Sequence, residues 1–375
     1  MIGIVVLNFN GLELLKKYLP NIVKHSTNAN IYVIDNNSND GSQSYILNSF
    51  PAVKLIKNEK NYGYAEGYNK GLKFVNDEIL CLINNDVLVN KNWLKPILNS
   101  FAKNPNISIA QPNILNLNKE QYFDYAGAAG GFIDKFGFPY CRGRIFNSIE
   151  ENKNQYYQTK EIFWASGACF FIRKNIFDLL NGFDRDFFMH QEEIDLCWRA
   201  FNKNIKVFNI GSSKVYHQGA GTLSNKNSKK TYYNFRNSFL MLVKNIPPKG
   251  FYFTIIFRVL IDVLGFFRFL FIGEFSNSFS LILAYFSIIN LFLKKYRQRQ
   301  KIQNTIWRRV LSDIREIMRS KGTIHGIKTF LRNVGIDPDR NFRFREYGGS
   351  RTGRIGASRQ EVKEIGSSNQ LNSEL

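Results

Sequence analysis

Short apolar runs alternate with amphipathic stretches over the first hundred residues. Four runs rich in Ile and Val have the length and composition of buried parallel strands; they are Ile2–Leu7, Ile31–Ile34, Val53–Ile56 and Ile79–Ile83. The stretches between them have helical length and spacing; they are Gly11–His25, Gly41–Phe50 and Ala65–Val75. Because strands joined by crossover helices pair in parallel, this alternation predicts an α/β fold with a doubly wound, mainly parallel sheet.

The pattern changes twice further along the chain. Residues 104–220 are less regular, with Gly-rich turns, and Phe, Ile and Leu dominate from 251 to 293. A basic stretch follows; its members are Lys294, Lys295, Arg297, Arg299, Lys301, Arg308 and Arg309. Beyond about 345, Gly, Ser and Arg prevail without apolar periodicity. We therefore expect a main domain over 1–245, an amphipathic, basic helical region over 246–335 and a mobile tail over 336–375.

Composition narrows the class of partner. The 375 residues carry a net charge of +21 and are 44% hydrophobic, which excludes a wholly disordered chain and favours an anionic partner. No nucleic-acid-binding motif is found, so we expect no nucleic acid. The four cysteines lack metal-ligand or disulfide spacing. The chain starts directly with a strand and shows no secretory signal, which favours the cytoplasm.

Polar side chains follow three of the predicted strands. Asn8 comes after the first strand, Asp35 after the second, and Asn84, Asn85 and Asp86 after the fourth. Each alone has the ordinary interpretation of a turn or helix cap. Ligands of open parallel sheets bind at the carboxyl ends of the strands, so all three together favour a binding site. Oxygen ligands at this position suit magnesium or manganese, which complete their shells with substrate phosphates.

Three further positions could carry chemistry. Glu192, Glu193 and Asp195 lie within four residues; they either cap a helix N-terminus or supply a general base. His217 is either a hydrogen-bonded structural residue or a third metal ligand. Arg236 either grips a diphosphate or lies on a solvated helix face.

Taken in order, seven segments resemble the family 2 glycosyltransferases, which are inverting, metal-dependent GT-A enzymes, and in particular their rhamnosyltransferase-like bacterial members that build cell-surface polysaccharides. The segments are Val5–Gly11, Val33–Ser42, Asn61–Gly71, Leu82–Val87, Trp164–Ala168, Gly182–Arg199 and Val215–Gly221. The resemblance covers about residues 2–240. It implies a GT-A fold whose nucleotide-sugar half is about 1–110 and whose acceptor half is about 111–245.

The resemblance also implies roles for single residues. Asp35 would bind the uracil or thymine edge of the donor. The other implied donor-binding residues are Asn8, Asn61, Gly63, Asn69, Asn84, Asn85 and Arg236. Asp86 and His217 would hold the Mg or Mn ion. The segment beside the acceptor comprises Trp164, Ser166, Gly167 and Ala168.

Glu193 is the general base that the resemblance implies, with Asp195 as a supporting carboxylate. Two departures from the family pattern bear on this. Asn84 replaces the first Asp of Asp-x-Asp, and Glu193 replaces an Asp, which leaves Glu192 open as the base. The implied reaction is a single displacement in which a sugar, with rhamnose as the candidate, is transferred with inversion from a UDP- or dTDP-sugar to a hydroxyl of a glycan or lipid-linked glycan.

The apolar segment from 251 to 293 predicts association with a membrane. We expect amphipathic helices lying on the inner face of the bacterial plasma membrane, with the basic stretch contacting anionic headgroups. The alternatives are helices packed on the main domain and a single transmembrane helix over Phe275–Leu293, which is barely long enough.

Two other function classes compete with a glycosyltransferase. A nicotinamide-dependent oxidoreductase of similar fold should carry Gly-x-Gly-x-x-Gly after the first strand, where this chain has Asn8-Phe9-Asn10-Gly11. A catalytically weak or inactive relative that only binds sugar nucleotides is favoured by the departures at Asn84 and Glu193.

Overall fold

The computed structural model describes residues 1–125, 127–219, 228–248, 250–312, 319, 323–333, 343–345 and 370–372. The chain divides into two compact units, Met1–Lys295 and Tyr296–Leu375. The apolar segment from 251 to 293 lies in the first unit, together with the sheet. In the second unit, a helix α10 (Ile324–Asn333) and the strand pair β15 (Arg343–Arg345) and β16 (Gln370–Asn372) are described. The rest of the predicted tail, 336–375, lies outside the described residues.

The N-terminal half alternates strands and helices as the apolar pattern predicts. Its elements are β1 (Ile2–Asn8), α1 (Leu12–His25), β2 (Asn30–Asp35), α2 (Ser42–Ser49), β3 (Lys54–Lys57), α3 (Gly63–Gly71) and β4 (Ile79–Asn84). The four strands run parallel in the order β3-β2-β1-β4. One expectation is wrong. The third strand is not buried, because β3 lies at the sheet edge and Lys54 and Lys57 are exposed.

The second half extends the same sheet beyond β4. Its elements are β5 (Val87–Val89), α4 (Leu94–Lys103), β6 (Ile107–Asn116), β7 (Lys119–Phe123), β12 (Thr159–Ile162), β13 (Cys169–Arg173), α5 (Lys174–Leu179), α6 (Glu192–Phe201), β14 (Lys206–His217) and α7 (Ser228–Asn245). The order continues β4-β13-β6-β14-β12, and β13 runs antiparallel to both neighbours. Because β13 runs opposite to β4, residues 167 to 169 lie beside the carboxyl end of β4.

A small separate sheet covers one side of this region. It contains β8 (Gly131–Ile133), β9 (Pro139–Cys141), β10 (Arg144–Ile145) and β11 (Ser148–Ile149), paired in the order β11-β10-β9-β8. Gly131 also bridges to Trp164 near the main sheet. The irregular sequence of this stretch therefore forms short antiparallel strands rather than loops alone.

The core lies between the sheet and its helices. Ile4 and Val6 of β1 point to the same face and pack with Leu15 and Leu19 of α1, and all four are at most 1% exposed. Val5 is equally buried on the opposite face, so the strand is covered on both sides. Each such side chain contributes about 1.5–3 kcal/mol through removal from water.

Two long helices follow the sheet. They are α8 (Phe251–Phe271) and α9 (Phe275–Ser312). Many of their apolar side chains are exposed, whereas several of their polar and charged side chains are buried. Two of the three charged residues of α8 are buried, and Arg268 is exposed. Arg258 donates to Asp262 and to Ser238 of α7, and Tyr285 of α9 donates to Asp262. Apolar side chains are exposed instead and form what we call the apolar face; it includes Phe253, Leu260, Leu264, Phe271, Phe279 and Phe286. Within α9, Phe275–Arg299 is long and apolar enough to cross a membrane by length and composition.

A buried ion cluster joins α9 to the segment before α6. Nζ of Lys295 is fully buried and lies 2.5 Å from Asp184 and 2.8 Å from Asp186. Lys244 of α7 pairs with Asp184 and with Asp195 of α6, each at 2.8 Å. Burial opposes ionisation of Asp184, but the charges of Lys244 and Lys295 outweigh it and hold its pKa well below the usual range. The expectation that Lys295 contacts lipid headgroups is therefore wrong, because its ammonium is used inside the protein.

Removal of Lys295 should destabilise the fold strongly. Lys295→Met leaves Asp184 and Asp186 short of a buried cation, and loss of one partner of a buried pair typically costs about 3–5 kcal/mol. The neighbouring Lys294 pairs with Asp186 while 43% exposed, so Lys294→Met should cost less than about 1 kcal/mol. Chemical denaturation of both variants measures the difference. Equal stabilities would contradict the buried role of Lys295.

Candidate active site

The carboxyl ends of β1, β2 and β4 bring three predicted donor-binding residues side by side. In the parallel register Asn8 is opposite Asp35, and Leu7 is opposite Asn84. The Nδ2 of Asn85 donates to Oδ1 of Asn8 at 3.1 Å, and Nδ2 of Asn8 donates to Asp35 at 3.0 Å. The strand ends therefore form one hydrogen-bonded edge.

Asp35 is the hub of this edge. Besides Asn8, its carboxylate accepts hydrogen bonds from the hydroxyl and backbone N–H of Ser38 and from the Gln43 amide at 2.8 Å. None of its surface is exposed. Asp35 is thus buried at the strand ends with protein donors on both oxygens, and contact with a base requires exchange of one of them.

The predicted residues around α3 serve its N-terminus and a neighbouring turn. Asn61 accepts from the N–H of Gly63, whose φ of +73° and closeness to Phe188 leave no room for a side chain. A Cβ at Gly63 would lie 2.5 Å from the carbonyl oxygen of Phe188. The Asn69 amide bonds both backbone groups of Phe183. Asn69 therefore fixes the turn at Phe183 and does not face the strand ends.

Asp86 and His217 lie together where β5 pairs with β14. Nε2 of His217 is 3.2 Å from Oδ1 of Asp86, and Nδ1 is 3.1 Å from Oδ2 of Asp124. Oδ1 of Asp86 is buried and accepts no aligned hydrogen bond from the described part of the chain. Burial lowers the pKa of His217, but the two carboxylates outweigh it and raise the pKa to about 10.

This pair fits a cation position between a carboxylate and an imidazole. The buried Oδ1 of Asp86 accepts no aligned hydrogen bond among the described residues and faces Nε2 as its ion-pair partner, so a cation here would displace the Nε2 proton. Asp124 holds Nδ1 and so orients the ring, as outer partners of metal-bound histidines do. Within the described residues no group of three or more His, Cys, Asp or Glu side chains converges on one metal position. A cation here would take two ligands from the protein and the rest from substrate and water.

A strained turn precedes the predicted acidic cluster. Phe188, His190 and Gln191 all have positive φ, at 38°, 67° and 71°. Such conformations cost on the order of 1–3 kcal/mol each and persist where surrounding contacts enforce them. The turn ends at the first residue of α6, so it sets where Glu192 and Glu193 point.

Two consecutive residues of α7 hold this turn. The Nδ2 of Asn237 lies 2.7–2.9 Å from the carbonyl oxygens of Phe187, Met189 and His190. Arg236 donates to the carbonyl oxygen of Asp186 at 2.7 Å and is only 8% exposed. The guanidinium that was expected to grip a diphosphate is thus engaged in supporting the turn.

Glu193 lies in the first turn of α6 against the segment that the sequence assigns to the acceptor. Its carboxylate accepts from the backbone N–H of Gly167. The carbonyl of Gly167 accepts from the Tyr64 hydroxyl at 2.8 Å. Oε2 of Glu193 is buried and has no hydrogen-bond partner among the described residues. Burial raises the pKa of Glu193 to about 7, although backbone N–H groups of Glu193, Gly167 and Ile194 oppose the rise.

Glu192 differs from its neighbour in being more completely buried. It is 4% exposed, and burial together with the charge of Glu193 raises its pKa well above the usual range. A carboxyl group in this environment keeps its proton at neutral pH. The two adjacent glutamates therefore have different protonation states available near pH 7.

Asp195 is not brought to the site. Its carboxylate binds Arg199, Lys244 and Asn245 on the opposite side of α6 and is fully buried. Burial opposes its ionisation, but the charges of Lys244 and Arg199 lower its pKa. The structure thus makes Asp195 part of the ion cluster rather than a partner of Glu193.

The other residues of the acceptor segment frame Gly167. Trp164 is buried and donates to the carbonyl oxygen of Phe132, and the N–H of Ser166 donates to Gln111. The carbonyl oxygen of Ala168 accepts from the N–H of Asn84. Gly167, and with it Glu193, therefore lies next to the carboxyl end of β4, where β13 pairs with β4.

Three side chains of the site were missed by sequence reasoning. Asp124 orients His217, Tyr64 fixes Gly167, and Asn237 fixes the strained turn. Asn237 and Tyr64 stand in segments that the sequence singled out, next to residues that were chosen. Asp124 follows β7 in an irregular stretch and carries no signal of its own.

The chain is similar to known proteins over much of its length. Residues 3–180 match the family described as Glycosyl transferase family 2. The low-salt glycan biosynthesis hexosyltransferase Agl10 of Haloferax volcanii is 27% identical over 64% of this chain and 74% of that protein. The dTDP-rhamnosyl transferase RfbF of Shigella flexneri is 24% identical over 59% of this chain and 73% of its own length.

Two further likenesses complete the comparison. The N-acetylglucosaminyl-diphospho-decaprenol L-rhamnosyltransferase of Mycobacterium tuberculosis is 22% identical over 51% of this chain and 66% of that protein. The crystal structure of GalNAc-T7 with UDP, GalNAc and Mn2+ has a TM-score of 0.52 and 17% identity. That match covers 65% of this chain and 48% of the GalNAc-T7 chain, so this chain spans about half of it.

The last likeness shows the fold, and it confirms the predicted GT-A class of α/β sheet. The family match and the named relatives confirm the resemblance that the seven segments indicated. The chain is therefore a glycosyltransferase, with a glycosyl transferase family 2 domain over residues 3–180.

Proposed function

We propose that this enzyme transfers a sugar, with inversion, from a UDP- or dTDP-sugar to a hydroxyl of a glycan or lipid-linked glycan acceptor in cell-surface polysaccharide synthesis. The observation that carries the proposal is the position of Glu193. Its buried, unpartnered Oε2 and its pKa of about 7 suit a general base that takes a proton at neutral pH. The relatives named as rhamnosyltransferases support rhamnose as the donor sugar.

The donor nucleotide would lie along the strand ends. Asp35 and Asn8 would meet the base, with Asn61 and Gly63 beside it and Asn84 and Asn85 nearer the sugar. The acceptor hydroxyl would approach from the side of Gly167, within reach of Glu193. A base on that side delivers the nucleophile to the face of the sugar opposite the departing diphosphate, which inverts the anomeric configuration.

Asp86 and His217 would hold the divalent cation, Mg or Mn, with Asp124 fixing the imidazole. When bound, such a cation stabilises negative charge that develops on the departing diphosphate. Support comes from the buried Oδ1 of Asp86, which accepts no aligned hydrogen bond among the described residues, and from its distance of 3.2 Å to Nε2 of His217.

The apolar face would lie on the inner surface of the plasma membrane. Arg258 and Asp262 are buried and paired with each other, and many apolar side chains of the two helices are exposed where a soluble surface presents polar ones. A lipid-linked acceptor would be reached from there.

Replacement of the base should abolish most of the activity. Glu193→Gln removes the proton acceptor and should lower the turnover rate about 10²–10⁴-fold. Glu192→Gln is the matched control, because an amide mimics a carboxyl group that already carries its proton, and it should retain most of the rate. Release of nucleoside diphosphate measures both. A larger loss in Glu192→Gln would assign the base to Glu192, and parent-like Glu193→Gln would exclude the mechanism.

The same base predicts the pH profile. The pKa of Glu193 is raised to about 7, and the ionised form is the active one, so kcat/KM should rise with pH through 7 and then level off. Initial rates between pH 5 and 9 test this. An acid limb centred near 4.5 would mean that an unperturbed carboxylate is the base.

Loss of Asp86 should remove the response to the cation. In the parent, Mn2+ added with UDP or dTDP should raise the melting temperature above that with nucleotide alone. Asp86→Ala should lose this increment, whereas Glu13→Gln, at a carboxylate 82% exposed on α1, should keep it. Thermal unfolding reads the effect without turnover. An unchanged increment in Asp86→Ala would rule out the assignment.

Charge on the apolar face should prevent membrane binding. Leu264→Asp with Phe286→Asp removes two side chains worth about 1.5–3 kcal/mol each in burial, so partition to vesicles should fall at least about 100-fold. Phe74→Asp, at a residue 70% exposed elsewhere, is the control and should bind like the parent. Flotation with anionic vesicles measures the binding of the parent, the double variant and the control. Undiminished flotation of the double variant would refute the proposed surface.

A further inference from the structure

Arg144 of β10 is a cation whose side-chain donors make no hydrogen bond within the described part of the chain. Its guanidinium carbon lies 3.8 Å from the ring centroid of Tyr125. Its Nε is buried and lacks an acceptor, and within the described residues no carboxylate pairs with it. A guanidinium that is stacked and partly desolvated but unpaired is poised for a negatively charged ligand.

The neighbouring arginine shows what a structural role looks like here. Arg142 donates to the carbonyl oxygen of Ala129 from both Nε and Nη2, and Nη2 also donates to Asn209. Its hydrogen bonds tie the small sheet to the main one. Arg144, two residues further along, has no such partners among the residues that the structure describes and is not needed for that connection.

The position of Arg144 relates it to the acceptor rather than to the donor. Tyr125 directly follows Asp124, which holds Nδ1 of His217, whereas Asp86 faces Nε2 on the opposite edge of the ring. The strand ends that would bind the nucleotide lie on the Asp86 side. The loop that follows Tyr125 packs on the acceptor segment, because a Cβ at Gly127 would lie 2.3 Å from Cβ of Ser166. An anion at Arg144 would therefore lie on the side of that segment.

Two exposed apolar side chains directly follow Arg144 along the chain. Ile145 and Phe146 are 68% and 89% exposed beside Arg144. In the same small sheet, Phe136 stacks on Phe257 of α8 with a centroid distance of 4.4 Å. A cation beside the acceptor segment with exposed apolar neighbours suits the junction of a phosphorylated group with a lipid chain.

We infer that Arg144, backed by Tyr125, binds the diphosphate of a lipid-linked acceptor. The inference rests on the proposed function, because it presumes that the acceptor carries a lipid diphosphate. Two N–H groups of one guanidinium can bond two phosphate oxygens, and the stack on Tyr125 holds the fork in place. The exposed Ile145 and Phe146 would contact the first part of the lipid.

Geranyl diphosphate is a suitable probe, because it carries the diphosphate and a short lipid but no sugar. It is titrated into the full-length enzyme with the donor site filled by saturating UDP or dTDP and Mn2+. Arg144→Ala should weaken its binding at least about tenfold, since a charge-assisted pair is lost. Arg144→Lys should be intermediate, and Lys160→Ala, which removes one exposed charge from β12, should match the parent.

Two controls separate the possible results. Affinity for UDP or dTDP should be unchanged in Arg144→Ala, and geraniol should bind the parent and that variant alike. The inference is overturned if geranyl diphosphate binds Arg144→Ala as it binds the parent, or does not bind the parent. A parallel loss of nucleotide affinity would also overturn it by assigning Arg144 to the donor. None of these titrations needs turnover, so failure of the Glu193 mechanism would be seen separately.

Discussion

The site depends on the strained turn between Phe187 and Glu192. Three non-glycine residues in left-handed conformation are unfavourable by themselves, and one amide, that of Asn237, binds three carbonyl groups of the turn. On the other side the carbonyl of Phe188 accepts from the N-terminus of α3. The turn is thus held between α3 and α7, and α6 starts where it ends. The position of α6 therefore brings the Glu193 carboxylate to the backbone N–H of Gly167, and no cationic side chain of the described residues pairs with it.

Within α6 the protein separates two uses of acidic side chains. Asp195 is surrounded by Lys244, Arg199 and Asn245, which keep it ionised, whereas Glu193 is left with backbone N–H groups alone. The difference in environment shifts their pKa values in opposite directions. The same ion cluster includes Lys295, so α9 is connected to the segment that presents the base. The cluster therefore supports the site without entering it.

The sequence predicted the features that follow from local periodicity. Strands β1, β2 and β4 and the meeting of Asn8, Asp35 and Asn84 at one edge follow from apolar runs and the geometry of parallel sheets. It failed for Asp195, because residues two apart on a helix face opposite sides and nearness along the chain does not reveal this. Asp124, Tyr64 and Asn237 were missed since they meet the site through tertiary contacts between distant segments. Lys295 was misjudged for the same reason, as its buried carboxylate partners lie more than a hundred residues earlier.

The apolar face of α8 and α9 has a consequence for work with the isolated protein. In water, the exposed apolar face binds other apolar surfaces, including those of other copies of the chain. Oligomers seen in plain buffer would then report the absence of lipid rather than a native assembly. Detergent or nanodiscs should accordingly precede any measurement of subunit number, and the molecular mass in each should be compared before a stoichiometry is assigned.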